Sequence, residues 1–482
     1  MRRAINAGWP LAMTPAVLLC GTASVSAASE RPNLVLIVTD DQGWGDVGYN
    51  GHPDLKTPVL DEMAATGLRF DRFYAAHPVC SPTRGSLMTG RHPNRFGCLN
   101  WGYSLRPEEV TLAEALKTAG YATGLFGKWH LGPVSKDPDS PVGPAASGFD
   151  EYLAKENYFD LDPELSRNGA PLERFAGDGS DIVAEAACAF IARKAETGAP
   201  FFAFVAFGSP HKPFEALPQD RKPYEHLGAK KAAYFGELAA VDRAVGAIRR
   251  RLRESKVAEN TIVWFMSDNG PMPPGSSGGL KGRKRYLFEG GIRVPGLLEW
   301  PAVVKRPTVS SVPCVTSDVY PTILDIVGIE IPNQPLPLDG VSLRPLIEGK
   351  PYTRPDPIGF WIYPGRNRER ENGSYIQPLP GFKNSKHPAA RPIEELQGLH
   401  AAWLDADGRY KFLLRKGGRQ RFLFDLNADP RQRNNLADKH PDIVERMTQE
   451  LNAWKRSVEN SLTGADYENL RISDPSKVNE GG

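Results

Sequence analysis

Asn33-Leu34-Val35-Leu36-Ile37-Val38-Thr39 is a continuous apolar run, and Asp40-Asp41-Gln42-Gly43-Trp44-Gly45 follows it at once. A run without alternation is the pattern of a strand buried on both faces, as in a parallel sheet covered by helices. Ligands of an open α/β sheet gather beyond the carboxyl ends of such strands. Two adjacent carboxylates at that end repel each other unless a cation sits between them, which points to a hard metal. Taken alone, the pair reads more readily as a solvated turn.

The same arrangement recurs further along the chain. Residues 122–126 form a short apolar run that ends in Gly127-Lys128-Trp129-His130-Leu131-Gly132. Residues 200–207, apolar and aromatic, lead into Gly208-Ser209-Pro210-His211-Lys212-Pro213, and residues 261–266 run into Ser267-Asp268-Asn269-Gly270. A further strand is expected at 297–300. Between these runs the spacing predicts helices: one starting at Pro58 with Thr57 as its cap, one over 112–119 closed by Gly120, and others over 181–193 and 232–253. Strands alternating with helices from 31 to about 345 predict an α/β fold, a large mixed and mostly parallel sheet sandwiched by helices. Four strand exits carry polar groups, so one face of that sheet is expected to hold a single site.

Cys80-Ser81-Pro82-Thr83-Arg84-Gly85-Ser86-Leu87-Met88-Thr89-Gly90-Arg91 stands apart from this alternation. Pro82 biases Ser81 away from the helical region, so a helix is expected from Thr83, with the thiol at or just before its N-terminus. Free amides and the macrodipole favour an anion there, and Arg84 adds a planar charge suited to a tetrahedral oxyanion. The alternative reading is a buried cysteine beside a turn.

The stretch resembles the signature C-x-P-x-R-x-x-x-x-T-G of type I, formylglycine-dependent sulfatases in the alkaline phosphatase-like superfamily, matched by Cys80, Pro82, Arg84, Thr89 and Gly90. The resemblance, of the arylsulfatase and N-acetylgalactosamine-6-sulfatase kind, extends over nearly the whole chain after its leader. It takes in the four strand exits, Lys281 before Glu289-Gly290-Gly291, and the downstream segments 338–343 and 423–430. It implies that a separate formylglycine-generating or anaerobic sulfatase-maturing enzyme converts Cys80 to Cα-formylglycine. It also implies that Asp40, Asp41, Asp268 and Asn269 bind one Ca2+, with the Cys80-derived group completing the set. Such hard oxygen donors, with no imidazole or second thiolate, suit calcium rather than zinc or copper. Arg84, Lys128, His130, His211 and Lys281 would surround the transferred sulfate. By the family's mechanism a hydroxyl of the Cys80-derived diol attacks sulfur, His211 or Lys281 assists the departing alcohol, and His130 helps deprotonate the second hydroxyl. Lys284 and Arg283 lie beside Lys281 and are alternatives for its role. His77 reads as a pocket or packing residue. A phosphonate or phosphodiester hydrolase of the same superfamily and a non-catalytic glycan-binding relative remain the rival readings.

The 482 residues exceed what a single core usually organises. We expect a signal peptide over 1–28, a catalytic domain over 31–350, a smaller α+β domain over 351–460 and a tail over 461–482. The leader has an Arg pair, a short apolar run interrupted by Pro10 and Pro15, and a small-residue end, which favours export to the periplasm or exterior over a membrane span. Without Arg2 and Arg3 the formal charge of +2 falls to zero, so no basic field argues for nucleic acid. Five widely spaced cysteines suggest no disulfide framework. In the C-terminal part, 403–414 and 420–426 predict a β-hairpin and 442–455 a helix packed on it. Basic residues crowd 366–391, and Trp101, Tyr103, Trp361 and Tyr363 are candidate sugar-stacking faces. These features fit a sulfated carbohydrate better than a small aryl sulfate, or else a solvated loop and ordinary core aromatics.

Overall fold

Every residue of Phe201–Ala206 and Thr261–Ser267 is buried, as are all but the first of Asn33–Thr39. Backbone groups so placed must pair within a sheet. The computed structural model describes residues 31–158, 161–362, 400–415 and 418–470. Among them, Ala122–Lys128, Phe201–Ala206, Asn33–Thr39 and Thr261–Ser267 lie side by side in that order, all parallel, at the centre of a ten-stranded sheet. Antiparallel strands such as Gly296–Glu299 and Glu164–Arg167 make it mixed. The expected α/β architecture is therefore the observed one.

Side chains alternate across the central strands and feed two cores. Leu34, Leu36 and Val38 join Leu87, Met88 and Tyr320 on one face, while Val35 and Ile37 join Val183, Ile191, Val241 and Ile248 on the other. Helices Gly179–Thr197 and Ala229–Glu254 cover the second face, and Cys80–Thr89 and Val319–Val327 contribute to the first. Each central strand thus has apolar neighbours on both sides, the physical origin of its unalternating sequence.

Several local expectations are corrected. Thr57 stands at the N-cap of the helix Pro58–Thr66 with Pro58 first in the helix, as expected, but its side chain caps no helix amide: its Oγ1 accepts from Gly48 N at 2.8 Å and donates to Asp61 Oδ1 at 3.0 Å. The free amides of Val59 and Leu60 are taken instead by the Asp242 carboxylate, 3.0 and 2.9 Å away on a different helix. The predicted hairpin is a four-stranded antiparallel sheet of Ile358–Ile362, His400–Leu404, Tyr410–Arg415 and Gln420–Asp425. The run 403–414 is two strands, because Gly408, in the left-handed region at φ 74°, closes a turn onto Asp405. Helix Pro441–Leu462 packs Val444, Met447, Leu451 and Val458 on one face of this sheet. The expected tail begins too early: Ala465–Leu470 forms a helical turn whose buried Tyr467 hydroxyl meets Arg91 and Glu109. One buried aromatic anchors that turn, and a single residue leaves no periodicity to read.

The described residues from Pro32 onward belong to one compact unit. Lys411 of the small sheet reaches Glu289 Oε1 at 2.8 Å, both side chains fully buried, and Tyr74 donates to Glu289 Oε2 at 2.9 Å. The expected leader and the basic segment 366–391 lie outside the described residues. Among the described residues no helix is long and apolar enough to cross a membrane.

Candidate active site

The register of the central strands determines which loops meet. Thr39 pairs with Ser267 and Val38 with Ala206, while Gly127 also pairs with Ala206. Asp40-Asp41, Asp268-Asn269, Gly208–His211 and Lys128–His130 therefore leave the sheet at one edge. The approach is tight: a Cβ on Gly127, at φ 104°, would stand 2.0 Å from Ala206 O. Asp41 and His130 have φ 68° and 56°, left-handed values uncommon outside glycine, although aspartate is among the residues that tolerate them.

Cys80 enters from the side. The helix begins at Cys80 itself, three residues earlier than expected, with Val79 as its N-cap. Pro82 is accommodated because the first-turn amides of a helix have no intrahelical partner, so a missing N–H there costs nothing. All ten residues of Cys80–Thr89 are buried. Burial pushes the Cys80 thiol up, although Lys128 and Lys284 act in the opposite direction.

Three carboxylates and three cations interlock beside it. Lys128 Nζ lies 2.5 Å from Asp40 Oδ2 and Lys284 Nζ 2.5 Å from Asp41 Oδ1. Arg84 Nε and Nη2 both reach Asp268 Oδ2, at 2.9 and 2.8 Å, and its Nη1 donates to Lys128 O at 3.1 Å. Asn269 Nδ2 donates to Asp41 Oδ1 at 2.7 Å. None of these six charged side chains is more than 7% exposed. Burial alone would raise the Asp40 carboxyl, but Lys128, His211, Lys284 and Arg84 outweigh it and hold it well below the usual carboxylate range. Asp268, buried and facing Asp40, is pushed up to about 6. Burial opposes the Lys284 charge, yet Asp41, Asp40 and Asp268 hold that ammonium well above its ordinary value.

Three oxygens in this cluster are buried without a hydrogen-bond partner among the described residues: Asp40 Oδ1, Asp41 Oδ2 and Asn269 Oδ1. Orphaned buried oxygens of this kind are costly unless something else binds them. Asp40, Cys80 and Asp268 each present a ligand atom within 4.8 Å of the others, and so do Asp40, Asp41 and His211. The donors are mainly hard oxygens, so the residues fit a divalent cation such as calcium.

The two imidazoles differ. His130 is buried, its Nδ1 has no hydrogen-bond partner among the described residues, and burial followed by Lys128 and Arg84 holds its pKa far below the ordinary histidine value. His211 is 17% exposed, with Nε2 3.9 Å from Asp41 Oδ2 and Nδ1 2.7 Å from Lys212 O. A carbonyl can only accept, so Nδ1 carries a proton and Nε2 faces the cluster.

Lys281 does not join this group. It is exposed, its Nζ donates to Gln432 O at 3.2 Å and lies 4.6 Å from the Phe288 ring, directed at the C-terminal part of the chain. Lys284 occupies the position expected of it, because Lys284 N bonds Pro271 O at 3.1 Å and turns this residue inward. His77 is buried, with neither ring nitrogen hydrogen-bonded among the described residues, and burial brings its pKa down to about 3. Of the candidate stacking faces, Trp361 is only 1% exposed and serves the core. Trp101 and Tyr103 are half-buried on a loop tied down by Gly102 N donating to Ser81 Oγ at 2.8 Å, directly beside Cys80. Tyr363 lies outside the described residues.

Comparison with known proteins gives a consistent result. A family model described as Sulfatase matches residues 32–329. The chain is 34% identical to pig (Sus scrofa) N-acetylgalactosamine-6-sulfatase over 379 residues, covering 70% of each chain. It is 33% identical to human (Homo sapiens) arylsulfatase A over 507 residues, covering 96% of this chain and 95% of that one. The solved structure of Ps i-CgsB in complex with k-i-k-neocarrahexaose superposes with a TM-score of 0.76 at 26% identity, covering 91% of this chain and 97% of the other.

Proposed function

The chain belongs to the sulfatase family, a sulfuric ester hydrolase of the arylsulfatase type, and from that premise we propose that it removes O-sulfate from a carbohydrate, using Cα-formylglycine at position 80 and one calcium ion. The observation that carries this reading is the trio of orphaned oxygens, Asp40 Oδ1, Asp41 Oδ2 and Asn269 Oδ1, set beside Cys80 within a charge-balanced cluster. Asp40, Asp41, Asp268 and Asn269 would hold the metal. When bound, calcium supplies positive charge that polarises sulfate oxygens. The matured residue 80 supplies a hydroxyl nucleophile. An unmodified thiol, raised by burial, would be a poor one.

The rest falls to the chain's own side chains. The three carboxylates and three cations cancel, so a divalent ion would leave the pocket positive, as an anionic sulfate ester requires. Lys128 Nζ and Lys284 Nζ are fixed by Asp40 and Asp41 at the place where that charge develops, a preorganised arrangement that needs little reorganisation. Arg84 orients Asp268. His211, when its ring is an imidazolium with a proton on Nε2 as well as on Nδ1, would give the Nε2 proton to the departing alcohol oxygen on the more open side, and the unpartnered His130 Nδ1 would take one from the hydroxyl side. The carbohydrate preference rests on the named relatives, one an N-acetylgalactosamine-6-sulfatase and one crystallised with an oligosaccharide. Export to the periplasm or exterior and a maturing enzyme as partner complete the proposal.

Mass spectrometry of the tryptic peptide 73–84 from the native host, paired with sulfate release from a panel of sulfated sugars, tests it. The expected result is a peptide lighter than the cysteine form by the thiol-to-aldehyde difference, with calcium-dependent release. An unmodified thiol in active protein, or faster turnover of phosphodiesters than of sulfate esters, would overturn it.

A further inference from the structure

Resting on the sulfate-ester reading of the site, we propose that Arg285 is a specificity-determining residue that binds a second anionic group of the substrate, so that the preferred ester sits on a polyanionic glycan. The placement comes from two main-chain facts. Arg285 N donates to Pro78 O at 2.9 Å, two residues before Cys80, and the preceding residue, Lys284, sends its ammonium to Asp41. The main chain at Arg285 is therefore held between the segment that carries Cys80 and the residue that reaches the carboxylate cluster.

Two further observations set it apart from the cations of the cluster. The inner ones are committed: Arg84 to Asp268, Lys128 to Asp40 and Lys284 to Asp41. Arg285 is exposed and has no ion pair or side-chain hydrogen bond among the described residues. Its φ is 75°, a left-handed conformation costly for a residue with a Cβ and one that persists where surrounding structure imposes it, commonly at functional sites. Glycine would meet the backbone requirement at no steric cost, so the backbone alone does not explain an arginine. A planar guanidinium with a fork of donors matches a carboxylate or a second sulfate on the same or the next sugar. On the opposite strand exit Lys212, also exposed, follows His211 and extends positive charge around the opening.

The test compares the matured enzyme with Arg285→Gly and Arg285→Lys on 4-methylumbelliferyl sulfate and on a monosulfated and a disulfated disaccharide of one skeleton. Arg285→Gly should lower the disulfated-to-monosulfated ratio of kcat/KM about tenfold, the loss expected for one charge-assisted contact, mainly through KM. Its thermal midpoint should not fall, since glycine adopts this φ freely. Arg285→Lys should keep part of the preference. Added salt should erode the ratio in the parent and not in Arg285→Gly. An unchanged ratio in Arg285→Gly overturns the proposal while leaving the sulfatase reading intact. No sulfate release by the parent from any of the three substrates defeats that reading and the proposal together.

Discussion

Replacing Lys284 with methionine removes a charge and keeps most of the volume, which makes it the sharpest probe of the site. The ammonium lies 2.5 Å from Asp41 Oδ1, with side-chain exposures of 7% and 2%. Removing a preorganised donor of this kind costs about 10²- to 10³-fold in rate, roughly 3–4 kcal/mol of transition-state stabilisation. Breaking a buried ion pair by deleting one partner costs about 3–5 kcal/mol of stability. The lower end applies here, because Asn269 Nδ2 still donates to Asp41 Oδ1 at 2.7 Å. The deletion leaves three buried carboxylates facing two cations, a surplus that bound calcium offsets, so the loss of thermal stability should be larger in chelator than in excess calcium. Lys281→Met is the control: it gives up one bond to Gln432 O and a cation–π contact with Phe288, about 1 kcal/mol of stability. Steady-state kinetics on 4-methylumbelliferyl sulfate, with thermal melts in calcium and in chelator, measure both variants. A greater loss of kcat/KM in Lys281→Met than in Lys284→Met would refute the assignment.

Asp268→Asn should weaken calcium binding by at least about tenfold, since a full negative charge leaves the donor set, and should also release Arg84 from its ion pair. Calorimetric titration with Ca2+ of chelator-treated protein checks this, and equal affinity in parent and variant would exclude Asp268 from the metal site. Asp339 provides a pH prediction far from the chemistry. Burial alone would raise its carboxyl, but Arg95, bonded to it at 2.7 and 3.0 Å, and His92 bring it down to about 2 from 3.8. A depressed folded value means the unfolded chain binds the proton more readily, so the stabilisation is present above about pH 4 and lost as pH falls towards 2. It amounts to about 2.5 kcal/mol. Asp339→Asn should destabilise the protein at pH 7 and flatten thermal midpoint against pH between 4 and 2; an unchanged acid slope would remove Asp339 from that account.

Apart from Cys80 and Arg84, which their own motif marks, the site residues legible in the chain are those within a few positions of a strand end. Asp40, Asp41, Asp268, Asn269 and Lys128 inherit their placement from Asn33–Thr39, Thr261–Ser267 and Ala122–Lys128, whose burial on both faces produces an unmistakable apolar run and whose register then carries each exit to the same edge. Lys284 has no such anchor. It shares a loop with Lys281, Arg283 and Arg285, four cations within five residues and no periodicity to separate them. The choice among them is made by Lys284 N on Pro271 O and Arg285 N on Pro78 O, and the second of these contacts spans about two hundred positions of chain. The helix start at Cys80 follows the same logic. Local preference around Pro82 argued for Thr83, whereas the folded chain needs only that Pro82 fall where an amide would be unpaired anyway. Glu289, legible only as a landmark before two glycines, proves to be the carboxylate that Lys411 of the small sheet shares with Tyr74. That contact also explains how a loop without secondary structure presents Lys284 to Asp41: its far end is fastened through Glu289 and its inner turn to Pro78 O.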